Sequence, residues 1–213
     1  MQKILIISFI LISFFSLFST ASKTFNIDQT KLDSIEKKYG VIAKNRVEEW
    51  DSMIETSKNE TILNKLKNVN DFFNQITYRS DLVTWGTKDY WATPFEFMGK
   101  GSGDCEDYAI AKYFSLIKLG VPDDKLRITY VSYRKTNTSY EEAHMVLTYY
   151  HKVGVEPVVL DNINKTLQIA SKRHDLKPVY SFNASGLWQA KTKGEARVGN
   201  NELRSWKDLM SRF

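Results

Sequence analysis

One cysteine, Cys105, and three histidines, His144, His151 and His174, are the only residues of the 213 that could pair a thiol nucleophile with an imidazole base. Cys105 stands in Gly101-Ser-Gly-Asp-Cys-Glu-Asp-Tyr, and a helical pattern follows it. Ala109, Ile110, Tyr113, Leu116 and Ile117 form an apolar face, and Gly120 and Pro122 end the run. The spacing predicts a helix over 105–119 with Asp104 at its N-cap. A thiol in the first turn meets unpaired backbone N–H groups and partial positive charge, both of which favour the thiolate. The same N–H groups could receive the oxyanion of an attacked carbonyl. A lone cysteine is as readily a small buried hydrophobe. In an exported chain, however, it makes no internal disulfide and is open to oxidation, so its retention calls for a use.

The base is best sought at His144, which starts the strand-like run Ala143-His-Met-Val-Leu. His151 ends that run beside Lys152, and His174 lies in Lys172-Arg173-His174-Asp175, a charged stretch that reads as solvated. The next strand-like run, Val155 to Leu160, leads into Asp161. If the two runs pair, His144 and Asp161 sit side by side, and the carboxylate can fix the tautomer and orientation of the imidazole. Alone, His144 could be a satisfied strand histidine and Asp161 a turn residue. Together with Cys105 on a helix N-terminus they point to a Cys105–His144–Asp161 triad.

Asp104, Glu106 and Asp107 complicate that reading. Three carboxylates beside a developing thiolate raise its pKa and repel one another. Acidic residues suit a first helical turn, but three around a nucleophile exceed what capping needs. A hard cation such as Ca2+ would resolve the conflict, with Asp123 or Asp124 adding oxygens if the loop after the helix folds back.

The elements that must hold these residues make an α+β pattern. Residues 23–80 read as helical, with Leu32, Ile35, Tyr39 and Ile42, then Val47, Trp50 and Ile54, then Ile62, Leu66, Val69 and Phe73 as stripes. Residues 81–103 are aromatic and turn-rich, without sustained periodicity. After the cysteine helix come strands over 126–134, 143–150 and 155–160, expected to pair antiparallel, with edge elements at 178–182 and 186–188 and a short helix around Leu203, Trp206 and Leu209.

Lys3, the apolar run Ile4 to Phe18 and the small residues Ser19, Thr20 and Ala21 read as an export signal over 1–21, leaving a protease domain over 22–213. The run is short for a membrane span, and an uncleaved anchor is the alternative. The formal charge of +5 comes from scattered basic residues with no dense Lys/Arg block among aromatics, so nucleic acid is not an expected partner.

The segment 101–114, together with Asp89-Tyr-Trp-Ala-Thr-Pro, Lys125-Leu-Arg-Ile-Thr-Tyr-Val, Ala143-His-Met-Val-Leu-Thr-Tyr-Tyr, Val159-Leu-Asp-Asn and Pro178-Val-Tyr-Ser-Phe-Asn, resembles the bacterial transglutaminase-like cysteine proteinases of the LapG type. The resemblance implies a papain/transglutaminase-like α+β fold and the catalytic set Cys105, His144 and Asp161. It also implies a Ca2+ requirement, with ligands at Asp104, Glu106 and Asp107 and a further one at Asp123 or Asp124. It implies a periplasmic enzyme that clips the N-terminal region of a large repeat-containing surface adhesin and so disperses biofilm. Such an enzyme is held in check by the periplasmic domain of an inner-membrane cyclic di-GMP receptor. Two other readings stand beside hydrolysis: transglutaminase-type acyl transfer to an amine, and a binding module with idle catalysis.

Overall fold

The computed structural model describes residues 27–152, 154–191 and 194–213. The expected export signal over 1–21 lies outside them. Among the described residues no helix is long and apolar enough to cross a membrane.

Three helices come first: α1 (Gln29–Tyr39), α2 (Val41–Ser57) and α3 (Ile62–Phe73). Asp28 and Thr61 cap α1 and α3 by accepting the N–H groups of Lys31 and Asn64. The apolar stripe expected to run through Tyr39 and Ile42 breaks at Gly40. Its φ of 89° suits glycine and turns the chain between α1 and α2. Ile42 consequently points to solvent, 72% exposed, while Ile35, Val47, Trp50 and Ile54 stay buried.

The aromatic segment is more regular than its sequence suggests. It contains α4 (Asp81–Thr84) and α5 (Pro94–Lys100). A reciprocal capping box starts α5: Thr93 Oγ1 accepts the Glu96 N–H at 3.2 Å, and Glu96 Oε2 accepts the Thr93 N–H at 2.9 Å. Two short strands, β1 (Thr77–Tyr78) and β2 (Ser102–Gly103), pair in parallel just before α6 (Cys105–Lys118). A Cβ on Gly103 would collide with the Asp107 side chain and the Phe97 ring, so this position must be glycine for the chain to enter α6 as it does.

α6 is the central helix. The sequence suggests one apolar face, but it is buried nearly all round, Asp107, Lys112 and Ser115 included. It packs between the other helices and an antiparallel sheet of seven strands: β3 (Leu126–Arg134), β4 (Glu141–Tyr149), β5 (Val158–Leu160), β6 (Gln168–Ile169), β7 (Leu176–Phe182), β8 (Leu187–Lys191) and β9 (Gly194–Gly199). Their order is β6-β5-β4-β3-β7-β8-β9. β3 has the predicted bounds, whereas the third predicted run shortens to three residues and β6 and β9 were not expected. A last helix, α7 (Arg204–Ser211), buries Trp206 and Leu209.

The helix–sheet core includes Trp50, Phe73, Phe97, Ile110, Leu116, Ile128, Leu147 and Phe182. Trp50 ties α2 to α6 by donating from Nε1 to Ser115 Oγ at 2.9 Å. A polar knot lies deeper. Lys112 Nζ donates to Asn70 Oδ1 and Asn74 Oδ1, both at 2.9 Å, and Asn74 Nδ2 donates to the Asp161 carbonyl at 2.8 Å. The knot joins α6, α3 and the chain after β5. Burial pulls the Lys112 amine down to about 7, although Asp161 and Asp71 oppose the shift.

That shift has a sign that can be measured. Between about 7 and the ordinary 10.5 the unfolded chain holds a proton that folded Lys112 has released, so this residue makes stability rise with pH across that window. Lys112→Met should remove that rise. Urea midpoints taken at pH 7 and pH 9 should show wild type gaining on the variant; parallel behaviour of the two would refute a buried, weakly basic amine.

Candidate active site

Cys105 is the first residue of α6, delivered by β2 and the N-cap Asp104. It is half-buried and opens into a cleft of about 420 Å³ lined also by Tyr78, Asp89, Trp91, Glu106, Tyr130, His144 and Tyr180. A shallower hollow of about 390 Å³ between α2 and α3 is lined by residues such as Ser52, Thr56, Asn68 and Gln75 and contains neither thiol nor imidazole. β5 pairs with β4 only over Leu147–Tyr149, so β4 is unladdered on that side nearer its start. There the Met145 N–H turns to the thiol.

Burial and the acidic residues both act on the thiol. Its Sγ lies 3.1 Å from Glu106 Oε2 and donates to it. Burial first, then the charge and hydrogen bond of Glu106 and the charge of Asp104, push the Cys105 thiol well up; the Met145 N–H only partly opposes this. The carboxyls are shifted too. Burial, with Glu106 adding, pushes Asp104 up to about 8, and burial pushes Asp81 up to about 6. Asp107 is fully buried and also raised, by burial first. Its two oxygens accept the Ala92 N–H at 2.8 Å and the Asp104 N–H at 3.3 Å, which fastens the aromatic segment to α6.

Three groups of potential ligand atoms come within 4.8 Å of one another: Asp104 with Cys105 and Glu106, Asp81 with Asp104 and Asp107, and Asp81 with Asp89 and Glu106. Asp81 Oδ1 and Asp104 Oδ1 are buried without a hydrogen-bond partner. Asp123 is absent from these groups, which corrects the expectation placed on it. It lies beyond the far end of α6, a helix of 14 residues or roughly 21 Å at 1.5 Å per residue. Its carboxylate accepts the Tyr113 hydroxyl, and its carbonyl accepts Asn183 Nδ2 at 2.9 Å. The loop after α6 does not fold back, so Asp124 is equally remote. Asp81, which sequence reasoning passed over, and Asp89, quoted there only within a longer segment, stand in these groups instead. Nothing in their spacing signals this, because α4 and the turn after it bring them to the α6 N-terminus.

His144 is on β4, 4% exposed, and is also the residue next to Met145. Continuing the β4–β5 register by one residue sets Asp161 opposite Val146, diagonal to His144 on the same face. His144 Nε2 lies 2.8 Å from Asp161 Oδ1. Burial alone would raise Asp161. The His144 hydrogen bond and charge, the Ile163 N–H and Arg173 outweigh it and hold the carboxyl well below the usual range. An ionised Asp161 only accepts, so the proton is assigned to Nε2 and Nδ1 is the free basic nitrogen. His174 is exposed, in keeping with its reading from sequence, and His151 is exposed as well. Arg173 is not solvated with its neighbours: it is 2% exposed and donates from Nη2 to Asp161 Oδ2 at 2.6 Å. A buried carboxylate calls for a cation, but no periodic signal marks which of the nearby basic residues supplies it.

The arrangement can attack a carbonyl with sulfur and move protons through His144, provided the acidic crowd is offset. The raised carboxyls carry a stability signature. Folded Asp104 and Asp81 keep protons that the unfolded chain releases above its ordinary 3.8, so their contribution is full below that value and is lost as pH rises through about 6 and 8. In buffer stripped of divalent cations the thermal midpoint should fall between pH 5 and 8. Asp104→Asn should flatten the upper part of that fall; an unchanged profile would show that Asp104 ionises normally.

A model of the bacterial transglutaminase-like cysteine proteinase (BTLCP) family matches residues 42–189. Among solved structures, calcium-bound Legionella pneumophila LapG is 44% identical, over 87% of this chain and 99% of that one, with a TM-score of 0.74. EGTA-treated Legionella pneumophila LapG is 42% identical, over 87% and 97%, with a TM-score of 0.75. A search of curated proteins gives no match.

Proposed function

From the premise that the chain belongs to the bacterial transglutaminase-like cysteine proteinases, we propose a calcium-dependent endopeptidase in which Cys105 is the nucleophile, His144 the general base and Asp161 its orienting carboxylate. The observation that carries this reading is the shared cleft: a half-buried thiol at a helix N-terminus, beside a histidine held by a buried carboxylate at 2.8 Å. Cys105 transfers its proton to His144 Nδ1, and sulfur bonds to the peptide carbonyl carbon. Backbone N–H groups at the α6 N-terminus receive the negative oxygen. The C–N bond breaks, and the amine leaves with the proton returned by the imidazolium. Water, deprotonated by His144, then adds to the thioester, and the acid product departs as the thiolate is regenerated.

The donor chemistry fits Ca2+, a hard cation that takes carboxylate oxygens. The two orphaned oxygens on Asp81 and Asp104 are the specific support, and Asp81, Asp89, Asp104 and Glu106 are the residues that would hold it. Asp107, with both oxygens accepting backbone N–H groups, would brace the loop around them. Ca2+ held there would supply positive charge to offset the carboxylates that oppose ionisation of Cys105. A calcium-bound and an EGTA-treated form of the Legionella protein are both among the similar structures, in keeping with this assignment.

The family resemblance extends the proposal to place and target. Residues 1–21 export the chain to the periplasm. There it clips the N-terminal region of a large surface adhesin and is sequestered by the periplasmic domain of a cyclic di-GMP receptor. Hydrolysis is preferred to amine transfer, since the family is one of proteinases.

Purified wild type, Cys105→Ala and His144→Ala should be mixed with N-terminal adhesin fragments in Ca2+ or EGTA. Cleavage confined to wild type with Ca2+ is expected, each variant falling by at least about 10⁴-fold. Activity surviving in Cys105→Ala would defeat the mechanism, and activity surviving full chelation would defeat the metal assignment. Incorporation of a labelled primary amine in place of cleavage would favour acyl transfer.

A further inference from the structure

Behind Asp161 the chain buries a guanidinium. Arg173 comes at the end of a 3₁₀ turn (Ala170–Lys172), between exposed Lys172 and exposed His174, yet its own side chain is almost wholly enclosed. Its Nη2 donates to Asp161 Oδ2 at 2.6 Å and to Asp175 Oδ2 at 2.7 Å, and its Nε donates to Asp175 Oδ1 at 2.9 Å. Asp175 therefore grips the guanidinium with both oxygens from the solvent side, its side chain 29% exposed.

The two oxygens of Asp161 do different things. Oδ1 accepts from His144 Nε2 at 2.8 Å and from the Ile163 N–H at 3.0 Å, while Oδ2 accepts from Arg173. With only the first pair of contacts the carboxylate could still swing about its terminal torsion, which is broad for aspartate. The bond at Oδ2 removes that freedom. Arg173 Nη1 is itself buried without a partner, and a buried ion pair is a poor means of stabilising a fold compared with apolar side chains of the same volume. What the guanidinium does provide at this point is direction and charge, through a planar donor fork that lysine lacks.

We propose that Arg173 is a positioning residue of the hydrolytic site, fixing the carboxylate plane of Asp161 so that one oxygen is held on His144, with Asp175 holding the guanidinium in turn. This rests on the reading of Cys105, His144 and Asp161 as the catalytic set. Asp161 and Asp175 share one guanidinium, so the three carry a single net negative charge for one imidazolium to balance. The charged and titratable groups facing Asp161 are His144 from β4, Arg173 with Asp175 behind it, and Lys112 from α6, whose amine acts on Asp161 through its charge.

The test is adhesin-fragment cleavage by Ca2+-loaded enzyme, as kcat and KM across pH, for Arg173→Met, Arg173→Lys and Asp175→Asn. Arg173→Met should lose kcat on the order of 10²-fold, as expected when a reacting group is misplaced by about 1 Å, with KM nearly unchanged. Its acid limb should move to higher pH, because a buried Asp161 without its cation holds a proton more readily. Arg173→Lys should recover part of kcat and most of the acid limb. Asp175→Asn should show the same two changes in smaller measure, and it decides the matter if Arg173→Met does not fold. Wild-type kcat and an unmoved acid limb in the folded variants would overturn the inference while leaving the catalytic set intact. Loss of kcat with an unmoved acid limb and no recovery by lysine would also overturn it, by reducing Arg173 to a packing role. Undiminished cleavage by Cys105→Ala in the same assay would instead sink the underlying reading.

Discussion

Cys105 shares the N-terminus of a buried helix with Asp104, Glu106 and Asp107, and Asp81 and Asp89 close in from the preceding segment. A helix N-terminus attracts negative charge, and here it attracts more than it can neutralise. Asp81, Asp104 and Asp107 keep their protons to unusually high pH, and the thiol does the same. Much of the upstream architecture holds this unfavourable gathering in place. The β1–β2 pairing sets the approach to Cys105, Gly103 lets the Asp107 side chain come close, and the Ala92 N–H anchors Asp107 from the aromatic segment.

The other wall of the cleft handles charge in the opposite manner. There the buried ionic groups are joined in series: His144 on Asp161, Asp161 on Arg173, Arg173 on Asp175. Asp161 is consequently held low while Asp81, Asp104 and Asp107 are held high, on the two sides of one site and from the same residue type. Burial is common to both; the presence or absence of a cation separates them. The α6 helix belongs to both walls, with Cys105 in its first turn and Lys112 two turns on, knotted to the carbonyl of Asp161 through Asn74.

How far the sequence reveals this depends on the distance over which each feature is encoded. The cysteine helix, β3, β4 and the terminal helix follow from local periodicity and stop signals, and the structure places them close to their expected bounds. The pairing of His144 with Asp161 is readable from two neighbouring strand-like runs on the condition that they pair, as β4 and β5 do. The helix α5 was not anticipated, although Thr93 and Glu96 form a plain capping box, because aromatic residues masked its short period. Gly40 divides a stripe that looked continuous. Asp81, Asp89 and Arg173 depend on tertiary contacts alone, and no local pattern separates Arg173 from its solvated neighbours. Asp123 looked suitable by residue type, and the length of α6 makes it unsuitable.

The knot around Lys112 also bears on when the site comes into being. Asn74 reaches the Asp161 carbonyl across 87 residues of sequence, and Asn70 reaches the Lys165 carbonyl across 95. Contacts that remote close large loops and form late relative to local helices. A chain that has made only its helices has the thiol in its helical turn but has no histidine beside it and no carboxylate behind that histidine. Completion of the sheet is thus what brings His144 and Asp161 together beside the cleft that holds Cys105.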